Sequence, residues 1–116
     1  MEHRPTQGYS ASLYCTDSGV SPFSDWLLAL KNPKAQARIT RAIKQMEAGN
    51  FGDTKTLKNC FGVLERRIHF GTGYRIYYIV ANTKIIVLFA GSDKSRQKST
   101  IAKVRAYYQN YMSRQS

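Results

Sequence analysis

From Ser10 to Thr16 the chain alternates, with Ala11, Leu13 and Cys15 set against Ser10, Ser12 and Tyr14, the period-two pattern of a half-buried strand. The period then lengthens. Phe23, Trp26, Leu27 and Leu30 recur at helical spacing behind Ser21, whose hydroxyl can cap free N–H groups, and Pro22, which forfeits nothing at a first helical position. Pro33 pushes Asn32 out of the helical region and breaks this run. Asn32 can then cap a second helix over Pro33–Ala48, with Ala35, Ile39, Ala42, Ile43 and Met46 inside and Lys34, Arg38, Arg41 and Lys44 outside. Gly49 and Asn50 end it, and the short connection predicts an antiparallel helical hairpin.

Three strand patterns follow closely: "GVLERRIHF", "GYRIYYIVA" and "KIIVLFA", joined at Gly71-Thr72-Gly73 and Asn82-Thr83. Joints this short require antiparallel neighbours. The segment Lys94–Met112 then carries Ile101, Val104, Tyr108 and Tyr111 on one helical stripe, so Tyr107, Tyr108 and Tyr111 read mainly as packing residues. The predicted order is β-α-α-β-β-β-α, an α+β domain with a mainly antiparallel sheet packed on a helical hairpin.

Alternation in the first meander strand sends Leu64, Arg66, Ile68 and Phe70 one way and Glu65, Arg67 and His69 the other. If the apolar set faces the helices, the opposite face holds Glu65, Arg67 and His69, and the next strand can add Arg75 and Tyr77. This pattern fits a solvated outer face as well as a site. Glu65 fits an ion-pair partner of a neighbouring arginine or a proton carrier, and His69 fits a solvated histidine or a general base. Arg75 follows a Gly-x-Gly turn and precedes largely apolar residues, where an exposed strand arginine adds little to a core unless it serves a partner. In "GSDKSRQ", Ser92 or Asp93 can cap a helix whose free N–H groups, with Lys94 and Arg96, suit a phosphate.

Charge favours the second view. The net charge is +11, with Lys and Arg outnumbering Asp and Glu 18 to 7, and such a surplus attracts polyanions, nucleic acid foremost. Most of it lies after Phe61, where ten Lys and Arg face only Glu65 and Asp93. A chain of 116 residues accommodates one core, expected over residues 9–116, with residues 1–8 expected as a disordered leader. Cys15 and Cys60 lack metal-ligand spacing and read as reduced thiols. With no secretory signal pattern and no apolar run of the ~18 residues a membrane span needs, a cytoplasmic protein without membrane contact is expected. No P-loop, HExxH, G-x-S-x-G or Cys/His cluster occurs, so no metal or other cofactor is expected.

Three stretches carry a resemblance: "GNFGDTKTL", "GVLERRIHFGTGYRIYYIV" and "IIVLFAGSDKSRQKSTIAKV". Together they resemble the addiction-module killer-protein branch of the RelE/ParE toxin superfamily, close to the HigB-type toxins of type II toxin–antitoxin systems. The likeness runs from about Tyr9 to Tyr111, and its most specific pieces are Gly-x-Gly-Tyr-Arg and Gly-x-Asp-Lys-x-x-Gln. It implies a ribosome-dependent mRNA endonuclease that needs no metal, in which a 2′-hydroxyl of the RNA attacks the neighbouring phosphate. The implied partners are mRNA on the ribosome and a cognate helix-turn-helix antitoxin.

Carried onto this chain, the resemblance gives Arg67, Arg75 and Lys94 catalytic roles around one anionic transition state. His69 and Glu65 are candidates for the unassigned general base, and Arg66, Arg96 and Lys98 are expected to contact RNA. Thr72 stands where the branch usually has Pro, which alters the turn. Thr100 stands near a position where more remote relatives place a catalytic tyrosine. Two other readings keep the same fold: a ParE-like inhibitor of DNA gyrase, and a non-enzymatic RNA-binding module, which would expose stacking aromatics beside its cations.

Overall fold

Two proline-led helix starts shape the first half of the chain in the computed structural model, which describes residues 8–115. Helix α1 (Pro22–Ala29) is capped by Ser21, whose Oγ accepts the Ser24 N–H at 3.2 Å. Helix α2 (Pro33–Glu47) is capped by Asn32, whose Oδ1 accepts the Lys34 and Ala35 N–H groups at 3.0 and 3.2 Å. Each cap satisfies donors that the helix itself leaves unpaired. Gln36 ties the hairpin together, its Nε2 donating to the carbonyls of Leu27 and Leu30 at 3.0 Å each.

Five strands form one sheet: β1 (Ser10–Leu13), β2 (Thr54–Thr56), β3 (Leu64–Ile68), β4 (Tyr74–Ala81) and β5 (Ile85–Asp93), in the order β1-β5-β4-β3-β2. Strands β2 to β5 pair antiparallel in sequence order, and β1 returns parallel to β5 at the edge. A 3₁₀ turn (Lys94–Arg96) leads into the last helix, α3 (Gln97–Arg114). This is the expected α+β architecture with its helical hairpin and meander.

Several details differ from expectation. Strand β2 is new: "TKT" has no apolar residue, so it carries no period; it is held by its pairing with β3 and by Thr54 Oγ1, which meets the Phe51 carbonyl and the Tyr78 hydroxyl at 2.7 and 2.9 Å. Strand β1 ends at Leu13, which is 47 % exposed on the edge, while Tyr14 turns inward and is buried. The last helix begins at Gln97 rather than Lys94, because Asp93 caps the 3₁₀ turn instead, accepting the Arg96 N–H at 3.0 Å. The leader expected over residues 1–8 lies outside the described residues apart from Gly8.

The sheet has two cores. Phe23, Ile39 and Met46 of the hairpin pack on Ile76, Tyr78, Ile86 and Leu88. On the other face, Val104 of α3 packs with Tyr77, Val87 and Phe89. The Phe89 ring lies 5.4, 6.2 and 6.0 Å from the rings of Tyr14, Tyr108 and Tyr111, so these tyrosines are packing residues. The face carrying Glu65 is therefore not a solvated outer face. Helix α3 covers it, making three layers where two were expected.

A β-bulge adjusts this face. Tyr77 pairs with Ala90 and Tyr78 with Leu88, leaving Phe89 as the extra residue. The alternation of β5 is inverted beyond that point. Gly91 then faces α1, where a Cβ would lie 2.2 Å from the Trp26 ring, so only glycine fits. Ser92 turns the other way, and its Oγ lies 3.1 Å from the Tyr77 hydroxyl.

Candidate functional site

The register of the meander builds the site. Arg67 pairs directly with Arg75, Glu65 with Tyr77, and Arg75 with Ser92, so all five side chains share the face beneath α3. Two arginines directly opposite one another repel. Glu65 answers this repulsion: it is completely buried, with Oε2 3.3 Å from Arg75 Nε and Oε1 3.6 Å from Arg67 Nε. Gln97, the first residue of α3, donates its Nε2–H to Oε2 at 2.9 Å, and Lys55 Nζ stands 4.0 Å from Oε1 at the rim. A buried carboxylate is tolerable only with such partners.

This arrangement settles the geometry of Glu65. Both its oxygens are engaged from below by arginine Nε atoms and an amide, the arrangement of an ion-pair partner rather than of a proton carrier open to substrate. It also corrects the expectation of an exposed Arg75, whose side chain is only 12 % exposed against 33 % for Arg67. With each Nε turned toward Glu65, the terminal guanidinium nitrogens are the donors left to face outward. Nη1 of Arg75 would lie 3.9 Å from a Cβ at Gly73, on the wall of an open groove.

That groove has a volume of about 510 Å³ and runs beside the β3–β4 turn. Arg67, Arg75 and Lys94 line it together, with His69 and the turn residues Gly71 to Gly73. Gly71 and Gly73 hold φ of 58° and 86°, the left-handed region that lets the turn curl around the groove mouth. Lys94 is exposed, placed there by the 3₁₀ turn that follows β5. The structure thus brings Arg67, Arg75 and Lys94 onto one cavity.

His69 sits just past the end of β3, away from the Glu65 cluster, with 74 % of its side chain exposed. Its Nε2 lies 2.6 Å from Asp53 Oδ2, and this hydrogen bond holds the Asp53 carboxyl below the usual carboxylate range. Asp53 is anchored in turn by its backbone carbonyl, which accepts the Arg67 N–H at 2.8 Å. Arg66 lies on the opposite face, 8 % exposed, with Nη2 donating to Gln45 Oε1 at 3.0 Å. Burial lowers its pKa. Arg66 is therefore not a surface contact beside Arg67. Arg96, Lys98 and Thr100 fall at the start of α3 and do not line the groove; Arg96 and Lys98 are exposed and Thr100 is half-buried.

Sequence reasoning passed over Asp53, Gln97, Arg38 and Arg41. Gln97 left a signal, since positions 97, 101, 104 and 108 form one stripe and a polar residue at its head marks a buried polar partner. Asp53 lies in a loop without periodicity, and Arg38 and Arg41 read as ordinary outward-facing helix charges. Among the described residues, no three His, Cys, Asp or Glu side chains gather as a metal site, and no helix is long and apolar enough to cross a membrane.

The family model "Phage derived protein Gp49-like (DUF891)" matches residues 25–111 of this sequence. An uncharacterized protein of Haemophilus influenzae is 41 % identical over 83 residues, 72 % of this chain and 82 % of that protein. The matched family segment contains every residue that lines the groove or grips Glu65.

Proposed function

Because the chain belongs to the phage-derived Gp49-like family and sets three cations around one groove, we propose that it is the toxin of a type II toxin–antitoxin pair, an endonuclease that cuts mRNA on the ribosome. The observation that carries this reading is the lining of a single cavity by Arg67, Arg75 and Lys94, with the two arginines fixed from beneath by buried Glu65. A phosphate undergoing attack gains negative charge on its non-bridging oxygens. Guanidinium groups preorganised by their buried counter-ion stabilise that charge without reorganising.

In this mechanism the RNA supplies its own nucleophile. A 2′-oxygen bonds to the adjacent phosphorus while the bond from phosphorus to the 5′-oxygen of the next nucleotide breaks, giving a 2′,3′-cyclic phosphate and a 5′-hydroxyl. Arg67 and Arg75 hold the phosphate in line, and Lys94 neutralises charge at the groove mouth. The proton leaving the 2′-hydroxyl goes to His69, which Asp53 orients through its 2.6 Å contact, and the departing 5′-oxygen takes its proton from solvent water at the open groove. Exposed Arg96 and Lys98 extend the positive surface along the start of α3. A cognate antitoxin would silence the protein by covering this groove, and the mRNA substrate places the reaction in the cytoplasm.

Arg75→Ala tests the reading. Cleavage of translated mRNA in a reconstituted system should fall by about a hundredfold or more, the usual consequence of removing one preorganised donor to a transition-state anion. Because Arg75 also neutralises Glu65, the variant is compared at a temperature where circular dichroism shows it folded. Wild-type products should carry 2′,3′-cyclic phosphate and 5′-hydroxyl ends. Intact mRNA together with a loss of DNA supercoiling on induction would replace the endonuclease with a gyrase inhibitor.

A further inference from the structure

The reaction just described leaves a second cleft unused. It lies on the hairpin side of β3, has a volume of about 320 Å³, and is walled by Arg38 and Arg41 of α2 with Arg66, Arg67 and His69. It shares Arg67, Ile68 and His69 with the catalytic groove, so the two cavities meet across the end of β3.

Arg66 is the unusual element. It is 8 % exposed, yet its Nε and Nη1 have no hydrogen-bond partner. Among the described residues, no carboxylate stands within ion-pair distance of it. The chain makes room for this cation: a Cβ at Gly52 would lie 2.4 Å from the guanidinium carbon. A buried guanidinium with free donors is costly unless an anion completes it. The one acid in the wall, Asp53, is bonded to His69. Arg38 is held along the same wall, its guanidinium 4.6 Å from the centre of the Phe70 ring.

We infer that this cleft binds a second phosphate of the same RNA strand, next to the one that is cut. Paired guanidinium donors match the two free oxygens of a phosphodiester. A strand leaving the groove past His69 passes directly into the cleft, because the two cavities share the wall formed by Arg67, Ile68 and His69. Arg38 and Arg41 reach the phosphate from the solvent side, while Arg66, whose free Nε and Nη1 are sealed beneath the cleft floor beside Gly52, adds its positive charge from below. The inference rests on the proposed function, because it takes the substrate to be single-stranded RNA.

The test uses a short RNA oligonucleotide blocked by 2′-O-methyl groups, titrated against the wild-type protein and the double variant Arg38→Gln/Arg41→Gln. Both side chains are exposed, so their loss leaves the cores intact. The dissociation constant should rise at least about tenfold, as expected for charge-assisted hydrogen bonds. The dependence of log affinity on log salt should become shallower by about 0.7, corresponding to one phosphate on a single strand. A methylphosphonate at one phosphate flanking the cleavage site should weaken wild-type binding similarly and add nothing in the double variant.

Unchanged affinity and salt slope overturn the inference. A loss seen only with ribosomes, and not with the oligonucleotide, also overturns it, in favour of a contact to ribosomal RNA. The two ideas fail separately. Oligonucleotide binding that depends on Arg38 and Arg41 without any cutting of translated mRNA removes the endonuclease and keeps the cleft. Cutting at wild-type KM in the double variant removes the cleft and keeps the endonuclease.

Discussion

The sheet face beneath α3 has two halves that are built on opposite principles. At one end Phe89, Val87, Val104 and the surrounding tyrosines exclude water by area alone. At the other, Arg67 and Arg75 stand side by side over a single buried carboxylate. The apolar half is stabilised by many small contacts, none of them indispensable to the others' geometry. The charged half depends on one anion, Glu65, that makes an otherwise repulsive pair possible and fixes where it points. The sheet therefore separates tasks along its length: one end holds α3 in place, and the other uses that fixed helix, through Gln97, to position charge.

Substitution in the apolar half should have the largest effect on folding. Phe89 is fully buried and touches three tyrosine rings, so Phe89→Ala should lower unfolding free energy by about 3–5 kcal/mol. Urea unfolding measures this directly. If the halves are separate in function, folded variant at low temperature keeps the wild-type RNA salt slope. A slope that collapses along with stability would show that the charged half has no rigidity of its own.

The converse probe is Glu65→Gln, which keeps volume and removes charge. Breaking a fully buried pair costs about 3–5 kcal/mol. Arg67 is 33 % exposed and partly hydrated, so about 2–3 kcal/mol is expected here. The loss should shrink in phosphate or sulfate buffer relative to chloride, because an anion bound from the groove side replaces part of the missing counter-charge. A variant more stable than wild type, in either buffer, would mean that the arginines do not need Glu65 and that the charged half is held by something else.

How far these halves could be read from sequence depends on which interactions are local. The hairpin, its Ser21 and Asn32 caps and the meander strands follow from spacing and cap chemistry within a few residues. The alternation in β3 also placed Glu65 and Arg67 on one face, while the addition of Arg75 from the next strand depended on a register that the sequence left open. What could not be read is non-local. The cover of α3 over that face turns a wet surface into a buried ion cluster. The bulge at Tyr77 and Tyr78 inverts β5 and brings Ser92 inward. Strand β2 exists because β3 offers it an edge, and the Asp53–His69 contact joins a loop to a strand end across 16 positions. Alternation also runs through Ile68 to His69 without showing that the strand stops between them, which is why His69 was grouped with Glu65.

Tyr77 lies on the boundary between the halves and gives the finest test of it. Its ring packs in the apolar core beneath α3, and its hydroxyl meets Ser92 Oγ at 3.1 Å. Burial pushes its pKa up to about 12, opposed by the Ser92 hydrogen bond and reinforced by the Glu65 charge. In the unfolded chain the phenol titrates near 10, at about its ordinary value. The folded pKa is the higher one, so the neutral hydroxyl's contribution is complete below pH 10 and is lost as pH rises from 10 to 12. Two units correspond to about 2–3 kcal/mol by the top of that window. Tyr77→Phe should cost only about 1 kcal/mol at pH 7, where it removes one hydrogen bond. It should then lose less stability than wild type on the way to pH 12, so that the two curves converge or cross. Tyr14 and Tyr78, whose pKa values are also raised by burial, are present in both proteins and cancel in the difference. Urea midpoints measured from pH 7 to 12 decide the matter. Parallel curves would mean that water reaches the Tyr77 hydroxyl, and the dry boundary between the apolar half and the arginine pair would then lie farther along the sheet, on the Phe89 side.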